Sequence, residues 1–382
     1  MSRRLLFLEP SKVGTQHITL IEAYLQAAQK VAAGRVELFS CASLWNNLST
    51  GLRGRVAHHA VPVIDPDRRL FLAKVPLEFL VTVWTIFSKR REDVLLVTCL
   101  FSPSLYLLEM LCRVWKPANV HVVLHSELEA LADRSISPGI TGYGYWCRKW
   151  WSIRTRNSSL GLVVIADQLR DRLLALGHDR LAPEKLSALS LPASLPEEVY
   201  PGAATRARPK VCFVGQRTRF KGYEEFCRLA ARLPGFEWVA IGGGSFENLS
   251  TGEQRRLASP EDFPAALTDC DVAVFPYTRG YDLSMSAAVL DAIAAGLFVI
   301  ATSRATFQAL SEELGPDMLT CVESSDEIGD ALTDWSSRPV LPREERRRRI
   351  ARSSLGETRL AEQLRRLLGG QPRVQAAQGM LH

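Results

Sequence analysis

Apolar positions along this chain switch repeatedly between two periods. Short apolar runs of strand length occur at RLLFLEP (4–10), RVELFSCAS (35–43), DVLLVTCL (93–100), NVHVVLHS (119–126), GLVVIA (161–166) and KLSALSLP (185–192). Between them lie stretches whose apolar residues recur at helical spacing: ITLIEAYLQAAQKV (18–31), SLYLLEMLCRVW (104–115) and QLRDRLLALG, which closes on Gly177. Buried-strand runs alternating with amphipathic helices predict a parallel sheet covered on both faces. The pattern breaks at SLPEEVYPGAATRARP (194–209), a stretch rich in Pro, Gly and Ala with no apolar periodicity; this reads as a linker. It then restarts with KVCFVG, YEEFCRLAARL, FEWVAIGGG, PEDFPAALTDC, DVAVFPY, SAAVLDAIAAG and FVIATS.

The predicted fold class is therefore α/β, with two doubly wound Rossmann-like domains facing a cleft. Residues 1–193 form the first domain and 210–355 the second, joined by the 194–209 linker. A C-terminal helix over 356–370 is placed to pack back on the first domain, and 371–382 form a tail. In such sheets a ligand binds in the crevice outside the carboxyl ends of the strands.

Composition narrows the choice of chemistry. The chain has 382 residues, of which 47% are hydrophobic and 23% charged. That supplies two real cores and excludes a disordered chain. A net charge of +6 suits anionic small molecules or an anionic membrane surface. Eight cysteines are scattered with no Cys-x-x-Cys pair and no histidine at zinc-ligand spacing, so no metal site is read from them and a reducing, cytoplasmic location is expected. The N-terminal apolar run meets Glu9 too early for a signal peptide. The most apolar stretch, VPLEFLVTVWTIFSK (75–89), carries Glu78 and is shorter than the roughly 20 residues that span a bilayer.

The chemistry concentrates at VGQRTRFKG (214–222). An apolar run, Val211 to Val214, ends at Gly215 and is followed by Arg217, Arg219 and Lys221. Cations spilled at the carboxyl end of a strand suit an anion such as a diphosphate, and solvated loop cations are the plainer alternative. Ser284, Met285 and Ser286 precede an apolar helical run, so the first turn of that helix can cap itself, hold a phosphate, or both. Asp291 sits within AAVLDAIAAG, apolar nearly all round. A carboxylate there needs a partner, either a ribose diol or an internal donor. His125 closes a strand run, facing the cleft or satisfied at the sheet edge. His17, at the start of the first helix, and Gly14, in PSKVGTQH, are candidates on the acceptor side.

These residues carry a resemblance. Gly215…Lys221-Gly222, DCDVAVFPY (269–277) and SMSAAVLDAIAAGLFVIAT (284–302) resemble, in order and spacing, the nucleotide-binding half of GT-B glycosyltransferases of the retaining family 4 type. HVVLHS and GLVVIADQLRDRLLALG resemble its first half more loosely. The resemblance implies the GT-B architecture and a metal-independent hexosyltransferase with no cofactor beyond its nucleotide-sugar donor, such as a UDP- or GDP-sugar. It implies that Lys221 and Arg217 hold the diphosphate leaving group and that His125 lies near the donor sugar. Gly215, Arg219, Asp282, Ser284, Met285, Ser286 and Asp291 would line the donor site. The chain departs from the family at four places, the first being PSKVGTQH, which has only Gly14 where many relatives carry a glycine pair. Gln216 stands where an arginine normally follows the glycine. The loop PYTRGYDLSMS is longer than usual. The carboxylate eight residues before the Asp291 position falls on Leu283, with Asp282 one step away.

Two stretches bear on the acceptor. YGYWCRKWWSIRTR (143–156) interleaves aromatic and basic residues, and FLAKVPLEFLVTVWTIFSKRR joins an apolar body to a basic end; either is a core helix with a solvated face or a surface for the inner leaflet of a membrane. The reading that follows is a cytoplasmic glycosyltransferase, peripheral on the inner membrane, which moves a sugar onto a saccharide or polyprenyl-linked saccharide in bacterial surface-polysaccharide biosynthesis. Alternatives are a non-catalytic GT-B nucleotide-binding scaffold or a sugar-nucleotide epimerase. No nucleic-acid-binding signature is present.

Overall fold

The computed structural model describes residues 3–65, 70–193, 208–258, 262–338 and 341–369. The segment read as a linker, apart from its last two residues, and the tail beyond Gly369 lie outside the described residues.

The first sheet contains β1 (Leu5–Leu8), β2 (Val36–Ser40), β3 (Ala57–Ala60), β4 (Val94–Val97), β5 (Val120–Val123), β6 (Gly161–Val164) and β7 (Leu186–Ala188). Their order is β3-β2-β1-β4-β5-β6-β7, and every pairing is parallel. The second contains β8 (Lys210–Val214), β9 (Glu237–Gly242), β10 (Ser245–Asn248), β11 (Gln254–Arg256), β12 (Val272–Phe275), β13 (Phe298–Thr302) and β14 (Leu319–Val322). Their order is β11-β10-β9-β8-β12-β13-β14, parallel except at the β9–β10–β11 edge. Strands β1, β4, β6, β8, β12 and β13 are buried along their whole length, as expected for a sheet covered on both faces.

The strand order reverses between β1 and β4 in the first sheet and between β8 and β12 in the second. A reversal leaves a crevice at the carboxyl ends, because the connecting helices go to opposite faces. The loops that leave these strands, 9–17 and 98–101 in one domain and 215–222 and 276–286 in the other, are therefore placed for ligand binding by topology alone.

Two segments differ from the pattern read in the sequence. RVELFSCAS extends as a strand only to Ser40, because a helix begins at Ala42. The β10–β11 hairpin is antiparallel and carries few apolar residues, so it has no alternation to announce it.

The helix Glu357–Gly369 lies against the first domain. Arg359 pairs with Asp167 at 2.7 Å, Gln363 accepts from the Ser190 N–H at 2.7 Å, and the Ala193 N–H donates to the Leu355 carbonyl. The basic helix Arg343–Arg352 is not simply solvated: Arg346 and Ile350 are buried, and Arg343 donates to the carbonyls of Thr268 and Cys270.

Candidate active site

Two glycines fix the geometry of the loop after β8. Gly222 has φ 72°, and a Cβ on it would lie 1.9 Å from the carbonyl oxygen of Pro276 in the loop after β12. The Thr278 N–H donates to the Phe220 carbonyl alongside. The two loops at the switch point are thus packed backbone to backbone, which only glycine permits. Gly222→Ala is expected to cost about 3 kcal/mol, combining left-handed strain with the collision. Gly14→Ala, also at positive φ but with open space around it, should cost only about 1 kcal/mol; equal denaturant midpoints for the two variants would contradict this assignment.

Gly215, at φ 115°, opens the floor of the loop. A Cβ on it would sit 3.1 Å from Lys221 Nζ and 3.6 Å from the Ala288 side chain. The ammonium therefore lies over Gly215, beside the first turn of the helix Ala287–Ala294 and 5.7 Å from the centre of the Tyr277 ring. Partial burial lowers its pKa, and no neighbouring carboxylate offsets this. Among the described residues no acid lies within ion-pair range of Lys221. An uncompensated, half-buried cation beside a helix N-terminus is a site that favours an anion.

The two arginines differ from Lys221. Arg217 is held by Glu247 at 2.9 Å and lies over the Tyr223 ring, whose hydroxyl donates to the same carboxylate. It is committed to the β10 side of the loop. Arg219 is exposed.

The three residues before the second anion-binding turn have distinct tasks. Ser286 caps the helix, accepting from the Val289 N–H, and meets the Tyr277 hydroxyl at 3.2 Å. Met285 is buried in the core. Ser284 donates to Glu129 Oε1 at 2.8 Å. Asp282 accepts from the Ala305 N–H and so starts the next helix.

Asp291 lies one turn into the same helix. It is half-buried, and its side chain has no hydrogen-bond donor within reach among the described residues. Burial alone pushes its carboxyl up to about 7. A carboxylate left without a partner in an apolar helix is costly, and a ligand diol satisfies it.

Glu129 was not foreseen from the sequence. It follows β5 in the first domain, yet its carboxylate accepts three bonds from the second: the N–H of Asp282 at 3.2 Å, the N–H of Leu283 at 2.8 Å and the Ser284 hydroxyl. These bonds show that the carboxyl ends of the two sheets face each other. They also place a carboxylate on the loop at Leu283, where the chain itself lacks one. Burial raises its pKa and the three donors oppose that rise.

On the first-domain side, Glu9 organises the loop after β1, accepting from the N–H groups of Ser11 and Lys12 and from the Thr98 hydroxyl. His17, in the left-handed conformation at the helix start, sets Nδ1 3.4 Å from Glu9 Oε2, and its ring centre is 4.8 Å from that of His125. His125 Nε2 lies 2.6 Å from the Thr98 carbonyl; a carbonyl only accepts, so this nitrogen carries the proton. Burial, with His17 beside it, lowers the His125 pKa to about 3. His125 is therefore neutral at physiological pH and its Nε2 proton is already engaged. Gly14 is half-buried, and its N–H donates to Ser43.

His17, Cys99 and His125 bring one ligand atom each to within 4.8 Å of one another. Three separate strand-end loops supply them, so no sequence spacing reveals the group. A tetrahedral zinc site has metal–ligand bonds of about 2.0–2.3 Å and needs its ligands closer together than this limit guarantees. Burial also raises the Cys99 thiol well above its ordinary pKa, which disfavours the thiolate a metal requires.

The stretch 143–156 turns one face inward and leaves Lys149, Ser152, Thr155 and Arg156 exposed. Trp150 and Cys147 are buried, and Arg154 forms an enclosed ion pair with Glu109 at 2.8 Å. The other apolar segment behaves differently. On the helix Phe71–Ser88, Leu80, Trp84 and Phe87 are exposed, and on the neighbouring helix Ser102–Val114 so are Leu107, Met110 and Val114. Arg90, Arg91, Arg113 and Lys116 are exposed at the ends of these two helices. No helix among the described residues is long and apolar enough to cross a membrane.

Comparison with known proteins agrees with this architecture. Residues 208–337 match the family described as glycosyl transferases group 1. Sucrose-phosphate synthase from Thermosynechococcus elongatus is similar in structure at a TM-score of 0.66 and 16% identity, covering 96% of this chain and 98% of that one. WaaG, a glycosyltransferase involved in lipopolysaccharide biosynthesis, superposes at 0.61 with 13% identity, covering 96% and 100%. Anabaena Alr3699/HepE in complex with UDP and glucose does so at 0.61 with 14% identity, covering 96% and 99%. No curated protein matches the chain in sequence. The chain has the two-domain GT-B glycosyltransferase fold, as the resemblance read from residues 215–302 implied.

Proposed function

We propose that the chain is a glycosyltransferase that takes a sugar from a nucleotide-diphosphate donor held in the cleft. The observation that carries this reading is the pair of unmet charges at the second switch point: Lys221 over Gly215 without an acid, and Asp291 without a donor. A nucleoside diphosphate offers both complements, phosphate oxygens for the ammonium and ribose hydroxyls for the carboxylate. Loss of the nucleotide develops negative charge on the diphosphate, and a fixed cation with a helix N-terminus stabilises that charge. Arg217 and Arg219 are secondary: the first is held by Glu247 and the second is solvated. The chemistry needs no metal on this reading, because Lys221 and the helix start supply the positive field, and retention at the anomeric carbon is proposed from the family resemblance. His125, neutral and hydrogen-bonded to Thr98, shapes the sugar pocket rather than exchanging protons.

Glu129 holds the donor loop from the opposite domain. Glu129→Ala leaves two N–H groups and a hydroxyl without their acceptor, and bonds to a charged group are worth about 1.5–3 kcal/mol each. The expected result is a drop of at least tenfold in kcat/KM for the donor, with Glu129→Gln retaining part of the activity; initial-rate kinetics at saturating acceptor would detect it, and wild-type values for Glu129→Ala would remove the role.

The acceptor is proposed to be a saccharide, lipid-linked and met at the cytoplasmic face of a membrane in bacterial surface-polysaccharide assembly. Support comes from the exposed stripe Leu80, Trp84, Phe87 beside Leu107, Met110 and Val114, and from the cations at the ends of those helices. Apolar side chains with basic flanks suit an anionic interface. Trp84→Glu/Phe87→Glu should abolish co-sedimentation with phosphatidylglycerol vesicles while leaving turnover on a soluble acceptor intact; unchanged sedimentation would argue against this face. Separately, sugar appearing only in an epimerised donor, with no acceptor consumed, would favour the epimerase reading.

A further inference from the structure

A second cationic cavity lies away from the cleft, under the helix Glu357–Gly369. It occupies about 460 Å³, next to the first residues of β5 and β6 and the edge strand β7. Four cations line it, Arg3, Arg170, Lys185 and Arg366, against two acids, Asp167 and Glu184. Asp167 is already neutralised by Arg359 and also accepts from the Gln363 amide, so the positive charges dominate.

The wall contains polar atoms that the fold leaves unsatisfied. Arg3 Nε and His121 Nδ1 are buried with no hydrogen-bond partner among the described residues, while the Arg3 Nη1 donates to the Leu368 carbonyl. The imidazole lies across Gly161, where a Cβ would come within 2.2 Å of Nδ1, so a glycine is required for the ring to sit here. Burial, Lys185 and Arg3 together press the His121 pKa down to about 4; the ring is neutral and senses a positive field. Buried donors and acceptors without partners are uncommon in native folds, and excess cation around a cavity is costly unless an anion occupies it.

We propose that this cavity binds the phosphate group of a small phosphorylated molecule, through Arg3, Lys185 and Arg366. Arginine and lysine together suit a phosphate, the one by forked bonds and the other as a point charge. Arg366 belongs to the C-terminal helix, whereas Arg3 and Lys185 belong to the first domain. An occupant therefore ties that helix to the first domain and stabilises their contact. This site does not depend on the nucleotide reading of the cleft.

Isothermal titration calorimetry with pyrophosphate on the full chain tests the proposal. In a Lys221→Ala background, which weakens the cleft site, pyrophosphate should still bind. Adding Lys185→Ala/Arg366→Ala should then weaken that binding by about tenfold or more, the effect of roughly 1.4 kcal/mol. Arg366 is exposed, so Arg366→Glu alone provides a variant that leaves the core untouched and should act in the same direction. Absence of heat in the Lys221→Ala chain, or heat indifferent to Lys185 and Arg366, would overturn the inference. Given that pyrophosphate binding, inorganic phosphate and phosphatidic acid vesicles separate the sources: added binding to inorganic phosphate that is sensitive to Lys185 and Arg366 supports a free metabolite, and added binding to vesicles but not to inorganic phosphate supports a lipid headgroup. If the cleft reading fails instead, wild-type chain shows a single pyrophosphate event, unchanged by Lys221→Ala but lost with Lys185→Ala/Arg366→Ala.

Discussion

Lys221→Ala is expected to lower turnover by about a hundredfold, with little change in melting temperature. The magnitude follows from removing one preorganised group aimed at developing charge in a cleft. The selectivity follows from its surroundings: the ammonium makes no ion pair among the described residues, and burial holds its pKa down, so beyond its contact with the Tyr277 ring the folded chain gains little from it until an anion arrives. Lys221→Arg should recover only part of the loss, because a guanidinium is larger and Gly215 leaves room for a compact head group. Arg217→Ala is a useful contrast. It breaks the Glu247 pair and the contact with Tyr223, so its effect should fall on loop stability before turnover. Steady-state kinetics with thermal melts on all three variants decide the matter, and a Lys221→Ala enzyme with wild-type turnover would end the leaving-group role.

Asp291 gives the second large effect, and it has a sign in pH. Its carboxyl is raised to about 7 from an ordinary value of 3.8, so the folded state holds this proton between those limits while the unfolded chain has released it. The stability associated with the proton is complete below pH 3.8 and is lost as the pH rises through about 7. At pH 8 the ionised group therefore costs the empty protein a few kcal/mol. Asp291→Asn should remove that cost and raise the melting temperature at pH 8, while weakening nucleoside diphosphate binding by tenfold or more. A ribose diol binds best to the ionised form, so wild-type affinity should rise between pH 6 and 8 and the Asn variant should lose that slope. A structural carboxylate would behave oppositely, losing stability and leaving nucleotide affinity alone; calorimetry at the two pH values with melts distinguishes the cases.

Much of this architecture is legible in the sequence because it depends on local regularities. Runs such as DVLLVTCL and DVAVFPY have the length and β-branched content of strands buried on both sides, and their alternation with helices predicts a parallel sheet. Gly215 and Gly222 are legible as loop punctuation, though their separate tasks, clearing a place for Lys221 and letting two loops touch, appear only when Pro276 and Ala288 are seen beside them. What the sequence conceals is long-range. Glu129 in SELEAL reads as an ordinary helix-surface acid, and nothing local says that its carboxylate crosses the cleft to Leu283. The one available signal was its position just after a strand's carboxyl end. Arg217 looked equivalent to Lys221 until Glu247, on a hairpin with almost no apolar alternation, was seen to hold it. The aromatic and basic stretch around Trp150 left open a core helix with a solvated face or a membrane surface, and the enclosed pairing of Glu109 with Arg154 and Trp150, which puts one face of it in the core, is a long-range contact. His17, Cys99 and His125 meet because three strands end together, a relation that no spacing along the chain encodes.

The most direct test is a crystal structure of the chain with a nucleoside diphosphate, UDP or GDP. The expected result is a terminal phosphate oxygen within hydrogen-bond distance of the Lys221 ammonium and the ribose hydroxyls on the Asp291 carboxylate. Diphosphate density elsewhere on the molecule, with Lys221 still over Gly215 and nothing beside it, would contradict the account.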